Sequence, residues 1–217
     1  MSAGFDPGTG LGPRLRLARE ERQLSARELA RRIGCSASLI SQIERGVSVP
    51  SVGVLYALAT ELDSSLDHLL FGADQRRTAA ATSPSPGGEQ AGGGQGPAPS
   101  GPGIVQRAGG RSIIDLASGV RWERLTPGAD AMADFLEVIY SPGGHSTDER
   151  RPLRHDGREY GLVISGTLQA NVGFESYELG PGDSIAFDSS TPHEYLNKTG
   201  EPVDAIWVVI HSEPGRA

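Results

Sequence analysis

SARELARRIGCSASLISQIERG, residues 25–46, is the stretch that decides the fold of the first half of this chain. Ser25 followed by Glu28 forms a capping box that begins a helix, and Gly34 provides its end. Ser36 is a suitable N-cap for a second helix, and Gly46 follows that helix where a left-handed residue is expected. Two short helices joined by a tight turn predict a helix-turn-helix, whose second helix normally enters the DNA major groove. An ordinary helical hairpin in another small bundle is the alternative.

The sequence on both sides of this motif completes an all-α domain. Apolar residues at helical spacing predict a first helix from Leu11 to about Gln23. After a break at residues 49–51, a fourth helix and a short fifth helix are predicted, and Gly72 ends the fifth. We therefore predict a domain of five helices over residues 11–72.

Length and composition bound the remaining possibilities. A chain of 217 residues is long enough for two domains, each with its own core. It has no apolar run of about 18 residues, and its N-terminus lacks the pattern of a signal peptide. Cys35 is the single cysteine, which excludes an intrachain disulfide. We therefore expect a cytoplasmic protein without a membrane partner.

Charge is distributed unevenly along the chain. Residues 14–45 contain eight Arg and four Glu, a balance of +4. Residues 104–217 contain nine Arg and one Lys against seventeen acidic residues, a balance of −7. A basic helical segment on an acidic chain favours a DNA-binding domain joined to an acidic partner domain, although solvated helix faces also carry charge.

Residues 73–103 separate the two halves. Their second part, residues 79–103, contains eight Gly and five Pro in 25 residues and no aliphatic side chain larger than Ala. Such a composition cannot bury enough apolar area to fold, so we predict a disordered linker rich in Gly, Pro and Ala.

Residues 104–217 have the pattern of an all-β domain. Alternating apolar residues and turn sequences rich in Gly, Pro and Asn favour a small barrel or sandwich. The predicted strands cover residues 113–116, 120–125, 135–140, 159–164, 168–172, 177–179, 184–187, 194–196 and 205–211.

The first domain, residues 11–72, resembles the Xre-type helix-turn-helix of phage repressors and bacterial regulators, which implies a lambda-repressor-like fold. The resemblance implies a recognition helix at residues 36–45. Gln reads adenine with two hydrogen bonds, Ser contacts a base edge or a phosphate, and Ala offers only a methyl group. DNA shape is therefore expected to carry part of the specificity. The residues expected to face the groove from this helix are Ala37, Ser38, Ser41 and Gln42. Ser36, at its start, is also expected to contact DNA.

The same resemblance assigns roles to charged residues around the motif. Arg14, Arg27, Arg31 and Arg45 are candidates for phosphate contacts, which fix register on the duplex without reading sequence. Some of these arginines are alternatively expected only to solvate helix faces. Arg19 and Glu44 occupy the positions of a buried ion pair that ties the first helix to the recognition helix.

Two segments of the second domain resemble the halves of the cupin signature, HDGREYGLVISGTLQA (155–170) and LGPGDSIAFDSSTPHEYLN (179–197). The resemblance implies a jelly roll, or double-stranded β-helix. His155, Glu159 and Gly166 match the first half, in which Leu153 stands where the family has its first His. Gly182, His193 and Asn197 match the second half.

By this resemblance, His155, Glu159 and His193 form a metal or ligand pocket. Two imidazoles and a carboxylate suit Zn, Fe, Ni or Mn, so a divalent metal is a possible cofactor. In the alternative, Leu153 marks a site without metal, and the histidines are hydrogen-bonded pocket residues. His68, His145 and His211 lack such partners and are expected to be incidental.

These patterns favour a sequence-specific transcription regulator with no catalytic residues, a repressor by default. We expect its partners to be an operator in double-stranded DNA, a second copy of the chain and a small-molecule effector in the cupin barrel. Two alternatives remain. One is a cupin metalloenzyme of the dioxygenase or isomerase type with an accessory DNA-binding domain. The other is an antitoxin-like domain that pairs with a protein partner.

Overall fold

A computed structural model describes residues 10–71, 103–128, 130, 132–147 and 152–211. Within these ranges the first half is helical and the second half is an antiparallel β domain, as predicted. The predicted linker lies outside the described residues except for Gly103. No helix in these ranges is both long and apolar enough to cross a membrane. The five helices are Leu11–Glu21 (α1), Ala26–Ile33 (α2), Ala37–Glu44 (α3), Val52–Glu61 (α4) and Leu66–Phe71 (α5).

The helix-turn-helix forms through the caps that the sequence predicts. The Ser25 hydroxyl accepts a hydrogen bond from the Glu28 amide at 3.0 Å, and the Ser36 hydroxyl accepts one from the Leu39 amide at 3.1 Å. Gly34, between α2 and α3, has a left-handed φ of +74°. These contacts satisfy amide groups that the first turn of a helix leaves unpaired, so they fix where α2 and α3 begin. The prediction of the two helices is confirmed.

The helical domain is held by a compact apolar core and one close backbone approach. Burial of each large aliphatic side chain stabilises the fold by about 1.5–3 kcal/mol. At Gly12, an added Cβ would lie 2.6 Å from the carbonyl oxygen of Glu44, so α1 rests directly on the end of α3. The first helix ends at Glu21, two residues before the predicted end, and Gln23 has a φ of +56°. The core residues that are at most 1 % exposed include Leu15, Leu29, Ile40, Ile43, Leu55, Leu58 and Leu69.

The β domain contains two antiparallel sheets. One has six strands in the order β1-β2-β3-β9-β4-β7, and the other has three in the order β6-β5-β8. All nine predicted strands are present, with bounds that shift by at most two residues. They are Ile113–Leu116 (β1), Val120–Arg124 (β2), Ala133–Tyr140 (β3), Arg158–Ser165 (β4), Leu168–Val172 (β5), Glu175–Leu179 (β6), Ser184–Asp188 (β7), His193–Leu196 (β8) and Val203–Ile210 (β9).

Residues 153, 155 and 159 are separated by even numbers of positions, as on one face of a continuous strand. The structure shows no continuous strand there. Leu153 forms an isolated antiparallel bridge with His193, and β4 begins only at Arg158. Gly157 lies between them with a φ of +113°, a conformation that side-chain-bearing residues rarely adopt. His155 therefore lies on a loop and not on a strand.

Helix α4 packs against one end of the β domain. The Ala117 amide donates a hydrogen bond to the carbonyl of Pro50 at 3.2 Å. An added Cβ on Gly53 would lie 3.7 Å from a methyl carbon of Leu153 and 3.8 Å from the Cα of Thr147. The two domains therefore touch directly through the start of α4.

Candidate functional site

The outward surface of α3 carries the residues that the sequence predicts to contact DNA. Ser36 and Ser38 are exposed, and Ala37, Ser41 and Gln42 are partly exposed. Ile40 and Ile43 lie on the opposite side of the same helix and are fully buried in the domain core. Because α3 buries only its apolar side, its small polar side chains face solvent together.

The four arginines predicted to contact phosphate fall into two groups. Arg27, Arg31 and Arg45 are exposed. Arg31 also pairs with Glu28 at 2.7 Å, and hydrogen bonds from Arg31 and Arg32 lower the pKa of Glu28 to about 2. Arg14 instead donates hydrogen bonds to the carbonyls of Leu69, at 2.8 Å, and Leu70. A phosphate contact by Arg14 would have to compete with these bonds, which tie α1 to α5.

Arg19 and Glu44 form the ion pair that the family resemblance implies. The Nε and Nη2 of Arg19 donate to the two carboxylate oxygens of Glu44 at 2.6 and 3.0 Å. Both side chains are only 10–11 % exposed. This bidentate geometry is the strong form of an arginine–carboxylate pair, and here it fixes α1 against the end of α3.

Inside the β domain, three potential metal ligands converge. Glu159 comes from β4, His193 from β8 and His155 from the loop before β4. The Oε1 of Glu159 lies 2.7 Å from the Nε2 of His155 and 3.0 Å from the Nε2 of His193. One ligand atom from each residue lies within 4.8 Å of the others. The structure thus brings together all three residues of the predicted pocket.

The hydrogen bonds of the two imidazoles leave their inner nitrogens available as ligands. The Nδ1 of His193 lies 2.8 Å from the carbonyl oxygen of Thr191, and the Nδ1 of His155 lies 3.2 Å from that of Asp156. The backbone carbonyls thus engage the Nδ1 of each ring, and each Nε2 is directed towards Glu159. Neither Nε2 has a well-directed hydrogen bond to the Oε1 of Glu159, despite the short distances. Two imidazole nitrogens and a carboxylate oxygen that face each other fit a shared cation.

The second oxygen of Glu159 is held by two aromatic donors. The Tyr195 hydroxyl and the indole Nε1 of Trp207 each donate to Oε2 at 2.7 Å. Burial would raise the pKa of Glu159, but the two histidines outweigh burial and lower it well below its usual range. Oε2 is therefore occupied and Oε1 is directed at the histidines, an arrangement in which the carboxylate orientation is fixed before any ligand arrives.

Aromatic side chains form the walls of this pocket, and one of them comes from the helical domain. The ring of Tyr56, on α4, stacks on His155 with 4.3 Å between ring centroids and 12° between planes. Tyr56 also contacts Trp122 edge-on at 6.0 Å. The sequence patterns did not indicate any of the four aromatic pocket residues, Tyr56, Trp122, Tyr195 and Trp207. Tyr56 in particular follows the helical pattern of α4 and carries no signal of a partner 99 positions away.

The other histidines lie apart from this cluster. His211 pairs with Asp134 at 3.1 Å, and the Nδ1 of His145 contacts the carbonyl of Thr147. His68 is exposed on α5. Within the described residues, the cluster of His155, Glu159 and His193 is the group that could hold a metal ion.

Comparison with known families assigns both halves of the chain. A helix-turn-helix family model (HTH_3) matches residues 15–69, and a cupin domain model (Cupin_2) matches residues 136–209. The chain has an HTH domain followed by a cupin domain. This order and the two folds agree with the resemblances seen in the sequence.

Several proteins similar to this chain are named as transcriptional regulators. The HTH-type transcriptional regulator PuuR of Escherichia coli K12 is 26 % identical over 195 residues, which cover 88 % of this chain and 90 % of PuuR. An uncharacterized HTH-type regulator of Sinorhizobium fredii, y4dL, is 51 % identical over 49 residues, 23 % of this chain and 25 % of that protein. The crystal structure of an HTH_3 family transcriptional regulator from Vibrio cholerae superimposes with a TM-score of 0.64 and 22 % identity, over 95 % of this chain and 98 % of that one.

Leu153 is the position at which this cupin domain differs from the cupin signature. Its side chain is 6 % exposed, and its backbone pairs with that of His193 through two hydrogen bonds of 2.8 and 3.0 Å. An aliphatic side chain thus stands at the position where the cupin signature has a histidine. The group of potential ligands in this cupin domain therefore comprises two histidines and one carboxylate.

Proposed function

We propose that this protein is a cytoplasmic, sequence-specific DNA-binding regulator, acting as a repressor, whose cupin domain binds a small-molecule effector. The observation that carries this proposal is the polar, solvent-facing side of α3, supported on its other side by a fully buried apolar core. Similarity to a named regulator over 88 % of the chain supports the same conclusion. The proposal includes no catalytic role for the chain.

In this proposal, α3 lies in the major groove. Gln42 reads a base, Ser38 and Ser41 contact base edges or phosphates, and Ala37 packs against a methyl group. Ser36 and the exposed arginines Arg27, Arg31 and Arg45 contact the phosphate backbone. Because one domain of this size makes few contacts, two copies on symmetric half-sites are needed for specific binding.

A second copy has a suitable surface on the outer face of the six-stranded sheet. Phe135, Tyr160, Leu162 and Ile210 are 39–43 % exposed, although their neighbours in sequence are buried. Tyr160 and Phe135 both lie opposite Val208 of β9, so these side chains form one continuous apolar surface. A surface of this kind is typical of an interface between proteins. We propose that it forms the homodimer.

The dimer surface is tested by sedimentation of two variants. Leu162→Asp places a charge in the apolar surface and should convert the dimer to monomer. Phe174→Asp is the matched control, because Phe174 is fully exposed at the turn between β5 and β6, outside this surface. If Leu162→Asp sediments as wild type, the interface lies elsewhere.

We also propose that His155, Glu159 and His193 hold a divalent metal, either Zn, Fe, Ni or Mn. The convergence of both Nε2 atoms on the Oε1 of Glu159 supports this fit, as do the two donors that fix its Oε2. A bound metal would supply a Lewis acid with open coordination positions for an effector. Elemental analysis of purified protein should give about one metal per chain, and Glu159→Ala should remove it. Wild-type protein purified without chelator that contains no metal would contradict this part of the proposal.

The regulator proposal is tested by footprinting on the DNA upstream of the protein's own gene. Protection of two half-sites about one helical turn apart is expected. Uniform affinity for that DNA and for random duplex at moderate salt would contradict it.

A second candidate function is a metalloenzyme with an accessory DNA-binding domain. The observation that favours it is the set of two histidines and one carboxylate, a ligand set shared with non-haem iron oxygenases. Oxygen uptake by iron-loaded protein across a panel of small substrates would support the enzyme. DNA protection without such turnover would support the regulator.

A further inference from the structure

The HTH domain reaches into the cupin pocket through one side chain. Tyr56 stacks on His155 in nearly parallel geometry, and Val52, one turn earlier on α4, lines the same cavity. Gly53 brings α4 close to Leu153 and Thr147 at its rim. The DNA-reading domain and the candidate metal ligands are therefore in direct contact, without any intermediate element.

Little free space remains between Tyr56 and Glu159. The cavity bounded by Tyr56, Trp122, Glu159, Tyr195 and Trp207 has a volume of about 20 Å³. A cavity needs roughly 10–15 Å³ to hold one water molecule, so this space suits a single water or an ion and no organic molecule. The side chains of His155 and His193 are 6 % and 0 % exposed, so the route to their inner nitrogens is also closed.

We propose that docking of the HTH domain on the cupin domain and binding of an organic effector are mutually exclusive, and that Tyr56 occupies the place of the effector. This proposal rests on the function proposed above, in which the effector enters the cupin pocket. The Tyr56 ring lies flat on an imidazole that is itself a candidate ligand. A molecule with a planar unsaturated group fits that place once α4 has moved away.

The contact is suited to reversible release. Among the described residues it includes the ring contacts of Tyr56 with His155 and Trp122, one backbone hydrogen bond and the close approach at Gly53. Because both domains belong to one chain, docking is intramolecular and needs no strong interface to be populated. An effector that binds only the open form shifts the equilibrium from the docked to the open form, and its affinity for the open form sets the size of the shift.

A disulfide between the domains can hold the docked form. A Cβ on residue 53 would lie 3.8 Å from the Cα of residue 147, which is compatible with the Cα separation of roughly 4.4–6.8 Å that a disulfide requires. The test protein is Gly53→Cys with Thr147→Cys in a Cys35→Ser background. Oxidation locks the docked form, and reduction of the same protein provides the matched control.

The probe is imidazole added to protein loaded with Co²⁺, followed by the visible spectrum of the metal. Because apparent affinity is proportional to the open fraction, a lock that lowers this fraction tenfold below that of the reduced protein weakens imidazole binding roughly tenfold. The reduced protein and Tyr56→Ala should bind imidazole, and Tyr56→Ala should bind it more tightly than Tyr56→Phe. Equal imidazole binding by the oxidised and reduced forms would overturn the proposal.

A second measurement does not depend on the metal. Trp122 is 4 % exposed and contacts Tyr56, so undocking of α4 should open it to acrylamide. Tyr56→Ala is expected to give a larger quenching constant than wild type, and Tyr56→Phe to match wild type. Identical quenching in all three proteins would overturn the docking proposal. Failure of every variant to bind Co²⁺ would instead count against the proposed metal site, with the docking question decided by quenching.

Discussion

Arg19 and Glu44 show how much the placement of α3 depends on single side chains. Their bidentate contact joins α1 to the end of α3, and both side chains are about nine-tenths buried. Each buried charge has lost contacts with water, and the opposite charge of its partner offsets that loss. Removal of either partner therefore leaves a charge without that compensation, at an energetic cost larger than the pair itself contributes.

Glu44→Ala should lower the free energy of unfolding by about 3 kcal/mol, because it leaves the guanidinium of Arg19 without its carboxylate. Urea denaturation followed by circular dichroism measures this change. Asp115→Ala is the control, because Asp115 is exposed and its surface pair with Arg121 contributes at most about 1 kcal/mol. Equal losses in the two variants would show that the buried pair has no special role.

Gln42 is the residue of α3 best suited to read a base. Gln42→Ala should weaken binding to the specific operator by about 1–3 kcal/mol and leave non-specific binding nearly unchanged. Fluorescence anisotropy with operator and with random duplex at one salt concentration measures both affinities. Gln106→Ala, in the segment before β1, is the matched control. An equal loss of affinity for operator and for random duplex would show that Gln42 contacts the phosphate backbone and does not read a base.

Strands β4 and β9 hold the pocket through one complementary pair of residues. Gly161 on β4 lies opposite Trp207 on β9, and the indole ring covers the glycine so closely that a Cβ there would overlap it. The same indole donates to Glu159. The absence of a side chain at residue 161 therefore allows Trp207 to orient the carboxylate two residues earlier on β4.

Gly161→Ala should displace the indole of Trp207, cost about 1–3 kcal/mol of stability through overpacking and weaken metal binding roughly tenfold or more. Thermal unfolding and Co²⁺ titration measure the two effects. Gly143→Ala is the control for stability, because an added Cβ there meets no atom within 4 Å, although its φ of +75° carries a backbone cost of its own. If metal affinity stays unchanged in Gly161→Ala, Trp207 does not contribute to metal binding.

At the scale of the whole molecule, local patterns predict the elements but not how they meet. Ser25, Gly34 and Ser36 define the helix-turn-helix because caps act within three or four residues, and the structure confirms it. The stack of Tyr56 on His155 depends on how the two domains dock, and the hydrophobic periodicity of a local segment does not indicate this. Arg14 shows the same limit, since an exposed-looking arginine on α1 bonds carbonyls 55 and 56 residues away.

Salt dependence tests the DNA-binding surface as a whole. The logarithm of operator affinity should fall linearly with the logarithm of salt concentration, by roughly 0.9 for each phosphate contact. Arg45→Ala should reduce this slope by about 1 for each HTH domain bound, with equal loss on all sequences. Arg121→Ala, on the cupin domain, is the control. A response that does not change with salt would contradict a basic docking surface.

The contact between α4 and the cupin pocket leaves the outward side of α3 in solvent, and this has a consequence for control. In the proposed dimer, docking on the cupin domain fixes the position of each HTH domain without covering α3. Effector binding would then change the spacing between the two HTH domains along the DNA. Inserting about half a helical turn between the half-sites should therefore abolish the response, because the second half-site then faces the opposite side of the DNA.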